Sequence, residues 1–217
     1  MLTAEELDRS IKQTIINANK EFTRGFEFIK KYHKSVTFFG SARLKENDHY
    51  YQKATRLGEK LSQLGYAVVT GGGPGIMQAA NKGAYEAGGK SLGLTIELPN
   101  EQNLNPYLTD HAPFYYFFTR KVILTFSAEA YLYFPGGFGS LDEFFEILTL
   151  VQTRKIKQVP IILVGSEFWG PLGKFIDKHL YGEYKTISSG DRNLYQILDD
   201  EKEIIDLVKR MPIRWGG

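Results

Sequence analysis

From Ser35 to Val164, short apolar runs alternate with longer segments in which apolar residues recur at helical spacing. Val36, Thr37, Phe38 and Phe39 form a β-rich run that ends at Gly40 and Ser41. Tyr50 to Leu64 places Leu57, Leu61 and Leu64 on one side of a helix, and Gly65 closes it. Tyr66 to Thr70 is the second strand, and Gly71, Gly72, Gly73, Pro74 and Gly75 are its turn. Ile76 to Ala87 is helical up to Gly88 and Gly89, and Leu92 to Ile96 is the third strand. Glu97 to Pro113 is a long polar loop, a kind that is usually functional in a compact domain. Phe114 to Ser127 is an aromatic-rich helix, Ala130 to Phe134 a strand, Ser140 to Gln152 a helix and Val159 to Val164 the last clear strand. Trp169 to Leu180 and Glu201 to Arg210 are further helices. Ahead of this series, Thr3 to His33 has helix formers, no proline and one glycine, Gly25, and predicts one or two helices.

Strands that alternate with helices imply right-handed crossovers and an α/β fold, a doubly wound parallel sheet with helices on both faces. The strands are apolar throughout, as expected when both faces are buried. The predicted organisation is a helical arm over residues 1–34 and one nucleotide-binding domain over 35–217. In such sheets ligands bind beyond the carboxyl ends of the strands. Two glycine-rich turns stand at such ends, residues 71–75 and 135–139.

Composition narrows the chemistry. With 217 residues and a formal net charge of +2 spread along the chain, no concentrated basic face for nucleic acid is expected. There is no cysteine, which excludes disulfides, zinc–thiolate sites and cysteine nucleophiles. His33, His49, His111 and His179 are dispersed without ligand spacing, so no metal is expected. The polar N-terminus lacks the apolar core of a signal peptide and no segment is long enough to span a membrane, so a cytoplasmic protein is expected.

The strongest motif is Pro135, Gly136, Gly137, Phe138, Gly139, Ser140, Leu141, Asp142 and Glu143. Glycines let backbone approach a ligand, and the helix that follows aims free N–H groups and its positive dipole end at phosphate. Ser140 and Glu143 equally fit a capping box, which closes a helix start without any ligand. Arg120 and Lys121 could be a solvated helix face. The Phe114, Tyr115, Tyr116, Phe117, Phe118 cluster suits packing against the sheet or a partner subunit, or stacking on a base. Glu97 and Glu101 lie in the long loop within reach of a ligand. Gly71 to Gly75 is not a dinucleotide fingerprint, because Ile76 stands where the third glycine belongs. Gly89, Lys90 and Ser91 imitate the end of a P-loop but lead into a strand, with Ala84 at the first glycine position.

The run from Pro135 to Glu143 resembles the P-G-G-x-G-T-x-x-E signature of the Lonely Guy (LOG) family, the cytokinin riboside 5′-monophosphate phosphoribohydrolases. Thr70 to Met77 is similar to that family's first glycine-rich turn, and Arg120-Lys121 to its R-K pair, in the family's order. The likeness covers roughly Ser35 to Val164; Ser140 replaces the family's threonine, and the N-terminal arm is nearer the longer bacterial forms. The resemblance implies a Rossmann-like fold and hydrolysis of AMP or N6-modified AMP to free base and ribose 5-phosphate, without cofactor or metal. It implies Arg120 and Glu143 as the catalytic pair, phosphate on Gly136, Gly137, Gly139 and Ser140, and Lys121 close to the substrate, with Ser41, Gly72, Gly73 and Met77 completing the pocket. The partner is then a small-molecule nucleotide, not nucleic acid or membrane, and the assembly a homodimer or higher homo-oligomer. A non-catalytic carrier of nucleotides or phosphoribosyl compounds on the same fold is the alternative. Some relatives carry a lysine decarboxylase label, but no lysine here stands in a recognisable Schiff-base context.

Overall fold

The computed structural model describes residues 3–97 and 104–210. Seven strands form one parallel sheet in the order β4-β3-β2-β1-β5-β6-β7. These are β1 Ser35–Phe39, β2 Ala67–Thr70, β3 Ser91–Ile96, β4 Asp110–Phe114, β5 Ala130–Tyr133, β6 Ile161–Val164 and β7 Gln196–Leu198. The chain steps outward from β1 to β4, then returns to the other side of β1 to add β5, β6 and β7. This reversal is the topological switch of a Rossmann-like doubly wound sheet, and it opens a crevice beyond the carboxyl ends of β1 and β5.

Alternate residues of each inner strand feed two apolar layers. Val36 and Phe38 of β1, with Ala130 and Leu132 of β5, face α2 His49–Gln63, α3 Ile76–Glu86 and α7 Glu201–Lys209. Phe39, Tyr131 and Tyr133 face the other layer, built from α1 Ala4–Ile29, α4 Phe117–Thr125, α5 Phe138–Gln152 and α6 Ser166–Phe175. Trp169 is fully buried there, and its indole N–H donates to the Tyr133 carbonyl at 3.0 Å. Beyond α6 the chain continues as a π-helical segment, Ile176–Glu183. Among the described residues no helix is long and apolar enough to cross a membrane.

Three elements differ from the sequence expectation. The long loop contains β4, whose Asp110, His111 and Pro113 hide it from a search for apolar alternation; as an edge strand it tolerates proline. Helix α5 starts at Phe138 with Gly137 as its N-cap, so Ser140 is the third helical residue and the capping box with Glu143 does not form. A seventh strand, β7, follows the one taken as last.

The residues of the expected arm form a single helix of 26 residues, capped by a box between Thr3 and Glu6. Its second half packs on α4 and β4. Gly25 is what allows this, since a Cβ there would stand 2.5 Å from Ile123 Cγ1. Its first half stands clear of the sheet, with Leu7, Ile11 and Ile15 each half or more exposed on one line.

Helices α2 and α3 touch through glycine. A methyl group on Gly83 would overlap the Thr55 carbonyl of α2. Gly83→Ala should therefore cost at least about 1–3 kcal/mol of overpacking, measured by urea unfolding.

Candidate active site

The end of β1 is stitched between the two glycine turns. Ser41 donates its N–H to the Pro135 carbonyl at 2.9 Å, and its own carbonyl accepts from Ile76 N–H at 3.0 Å. Gly75 sits at φ +68° against that same carbonyl, where no side chain fits. The chain ends of β1, β2 and β5 thereby converge on one mouth.

On the β5 side, the first backbone bond of α5 runs from Leu141 N–H to Gly137 O at 3.1 Å. The amides of Phe138, Gly139 and Ser140 precede it and have no place in the helical ladder. Gly137 supplies no side chain to cap them. Gly136 leaves the space that the Ser140 hydroxyl occupies, and the serine is buried at the start of the helix.

A cavity of about 670 Å³ opens over this mouth. Of the residues proposed from the sequence, Ser41, Met77, Arg120, Lys121, Gly137, Gly139, Ser140 and Glu143 line it. Gly72, Gly73 and Gly136 are not among the lining residues. Gly72 turns at φ +74° toward Thr95, and Asn105 takes its carbonyl at 2.9 Å and that of Gly73 at 3.1 Å. Gly71 lines the wall instead, together with Phe117 of the aromatic cluster and with Arg43, Phe138 and Asp142, which the sequence reading did not single out for the pocket. Gly71 held a visible signal, being the first glycine after a strand. Arg43 held none beyond its place two residues past Ser41.

Arg120 is no solvated surface residue. Its Nε–H donates to the Leu94 carbonyl of β3 at 2.7 Å, and its Nη2 lies 2.5 Å from where a Cβ on Gly71 would stand. Burial lowers the guanidinium's pKa, and the charge of Glu143 works in the opposite direction. Glu143 is 8% exposed, and its Oε2 has no hydrogen-bond partner among the described residues. Burial pushes its carboxyl up to about 7, against the pull of Arg120 and Lys121, while Glu146 and Asp142 add repulsion. Lys121 bonds Asp142 at 2.6 Å and Glu146 at 3.0 Å. Burial alone would depress its ammonium, but these two carboxylates win and raise it.

The aromatic cluster is divided. Phe114 is buried in the core, Phe118 packs on Phe22 of α1 at 6.5 Å between ring centres, and Phe117 reaches the cavity. Phe138, 92% exposed, forms part of the opposite lip. Glu97 is used through its backbone, which bonds the Phe114 carbonyl at 2.8 Å, and does not line the cavity. Glu101 lies outside the described residues. Among the described residues no group of His, Asp and Glu is placed to hold a metal ion.

A family model described as possible lysine decarboxylase matches residues 77–208. The chain is 28% identical over 155 residues to a probable cytokinin riboside 5′-monophosphate phosphoribohydrolase of Oryza sativa subsp. japonica. That match covers 70% of this chain but 62% of the rice protein, so the chain spans less than two thirds of that relative's length. It is also 28% identical over 149 residues to a cytokinin riboside 5′-monophosphate phosphoribohydrolase of Rhodococcoides fascians, covering 66% of this chain and 74% of that protein. Among solved structures, a molybdenum cofactor carrier protein of Chlamydomonas reinhardtii superposes with a TM-score of 0.59 at 24% identity, over 82% of this chain and 97% of that one. This last likeness is one of fold.

The raised carboxyl has a measurable consequence. A group whose folded pKa lies near 7, above its ordinary 4.5, favours the folded state when protonated, and that contribution fades as pH rises through 7. Glu143→Gln should therefore melt higher than the wild type at pH 8, with the difference closing toward pH 4.5. Arg120→Gln should move the Glu143 midpoint, followed by carboxyl NMR, further upward. A wild-type midpoint near 4.5 would contradict the burial on which this rests.

Proposed function

The chain belongs to the family described by that model, the Lonely Guy (LOG) family that its glycine motifs resemble, and we propose that it hydrolyses the N-glycosidic bond of a purine nucleoside 5′-monophosphate. The substrate is AMP or an N6-modified AMP, and the products are free base and ribose 5-phosphate. One observation carries this reading: Glu143, a buried carboxylate whose Oε2 has no hydrogen-bond partner among the described residues, lines the same cavity as the uncapped start of α5. The activities for which the rice and Rhodococcoides fascians relatives are named support it.

The chemistry follows from the charges. Phosphate takes the amides of residues 138–140 and the Ser140 hydroxyl at the positive end of α5. Glu143 lies three to five residues further along, a rise of roughly 4.5–7.5 Å, in the direction in which the ribose extends from its phosphate. As the C1′–N bond lengthens, positive charge builds on the ribose ring, as in other glycoside cleavages. The ionised Glu143 stabilises that charge and takes a proton from the water whose oxygen bonds to C1′. The base leaves with the bonding electron pair and takes up a proton. Arg120, with Nε held by Leu94, keeps its Nη groups for the Glu143 charge and for substrate oxygens. Phe117 and Phe138 offer ring faces to the base.

The description of the family as possible lysine decarboxylases implies an imine between a lysine and pyridoxal phosphate, and the residues do not fit it. Lys121 is the lysine of the cavity wall, and its two carboxylate partners hold it as an ammonium. An imine-forming lysine needs the opposite shift.

We also propose a homodimer or a multiple of one. The seam of Leu7, Ile11 and Ile15 runs on in line with Phe22 and Gly25, which α4 covers, yet no described residue covers its first half. Helices this amphipathic owe their stability to packing rather than to propensity. Light scattering should give at least twice the mass of one chain, and Ile11→Glu with Ile15→Glu should lower it to one. A monomer in the wild type across micromolar concentrations would end this proposal.

Activity is tested by free-base release from a panel of nucleoside monophosphates. AMP should be cleaved and adenosine should be a poor substrate, because charge-assisted bonds to phosphate are worth roughly 1.5–3 kcal/mol each. kcat/KM should rise with pH through about 7 and then level. Glu143→Gln should still bind AMP by calorimetry and lose at least about a hundredfold in turnover. Wild-type protein that binds nucleotides but releases no base from any of them would favour a carrier.

A further inference from the structure

The start of α4 has no cap of its own: Tyr116 holds the N-cap position and makes no side-chain cap bond. Its donors are met from α1, close to a hundred residues earlier in the chain. Glu21 accepts from the N–H of Tyr115 at 2.7 Å, from the N–H of Tyr116 at 3.3 Å and from the hydroxyl of Thr119. The carboxylate is 8% exposed, and it stands at the positive end of α4, where a negative charge is favoured. Arg120 follows Thr119 directly, and its N–H makes the bond to Tyr116 O, at 3.2 Å, that opens the helical ladder.

A serine, threonine or aspartate at position 116 would cap the helix locally. It would fix where the helix begins, but not how the helix stands against its neighbours. A carboxylate reaching in from α1 fixes both. We propose that Glu21 is a positioning residue for Arg120: by seating the first turn of α4 on α1, it sets how deeply the guanidinium enters the cavity and how far it stands from Glu143. This rests on the reading of Arg120 and Glu143 as a working pair. The other polar ties of α1 and of the turn that follows it end on β4 rather than α4. Arg24 donates to the Pro113 carbonyl, and Tyr32 donates to Asp110 at 2.8 Å.

The test follows the Glu143 carboxyl by NMR titration in the full chain, together with melting temperature and free-base release. In Glu21→Ala, α4 loses its seat and the cations of Arg120 and Lys121 move away from Glu143. The midpoint, near 7 in the wild type, should then rise by about half a unit or more, and kcat should fall more than KM changes. Glu21→Gln keeps an acceptor for two of the three donors and should move the midpoint about half as far. Tyr32→Phe, which cuts the tie from the turn after α1 to β4, should lower the melting temperature and leave the midpoint in place. A folded Glu21→Ala with the wild-type midpoint overturns the proposal, as does an equal shift in Tyr32→Phe. If Glu21→Ala does not fold, a Glu21→Gln protein with wild-type midpoint and turnover overturns it. The titration needs no catalysis, so a wild type that cleaves no nucleotide would defeat the proposed function and leave this result legible.

Discussion

A carboxylate withdrawn from water and given no hydrogen-bond donor is expensive to keep, and the rest of the site is arranged around one. Glu143 holds that position, with the guanidinium of Arg120 as its main electrostatic relief. For Arg120 to serve, it must be buried too, and a buried guanidinium needs both an anchor and room. Leu94 of β3 gives the anchor and the missing side chain of Gly71 gives the room. Strand β3, the first glycine turn and α4 are therefore bound to one electrostatic requirement. Ligand-free, the arrangement is unfavourable to charge on Glu143. A cationic ribose ring would supply what is lacking, which is the property of a site complementary to a transition state rather than to its own resting state.

Much of this was legible in the sequence because glycine is informative where backbone passes close to backbone. The two turns and the helix after Pro135 follow from short stretches read in order, and it was the family resemblance that implied Arg120 and Glu143, which line one cavity. What was hidden depends on distance along the chain. Gly72 and Gly73 look equivalent to Gly71 in one dimension, but Asn105, more than thirty residues later, draws their carbonyls away from the cavity. The pair Ser140 and Glu143 satisfies the spacing of a capping box, yet the helix begins two residues earlier, because free amides ahead of Ser140 are tolerated at an open mouth. β4 escapes detection since an edge strand buries few of its residues and need not alternate. Glu21 reads as one charge among many on a long helix until α4 is laid against it.

The family's description as possible lysine decarboxylases and the chemistry of the cavity point different ways, and the lysine decides between them. Lys121 is fixed by Asp142 and Glu146 on the first turns of α5, so its charge is structural currency for that helix and for the potential felt by Glu143. Fold likeness is silent on the matter, since the same sheet and switch point serve a carrier protein as readily as an enzyme.

The dependence of α4 on α1 also has a temporal side. The bonds from Glu21 to Tyr115 and Thr119 join residues 94 and 98 positions apart, with α1 made first. At ordinary rates of translation, that interval is roughly 5–20 s. Throughout it, the amphipathic segment has left the ribosome without the helix it is to pack on, and an unpacked helix is only marginally stable. The nascent chain thus carries Phe22 and Phe28 unsheltered until the middle of the sheet has been synthesised. The segment that steadies the site is, during biosynthesis, the one most in need of a chaperone.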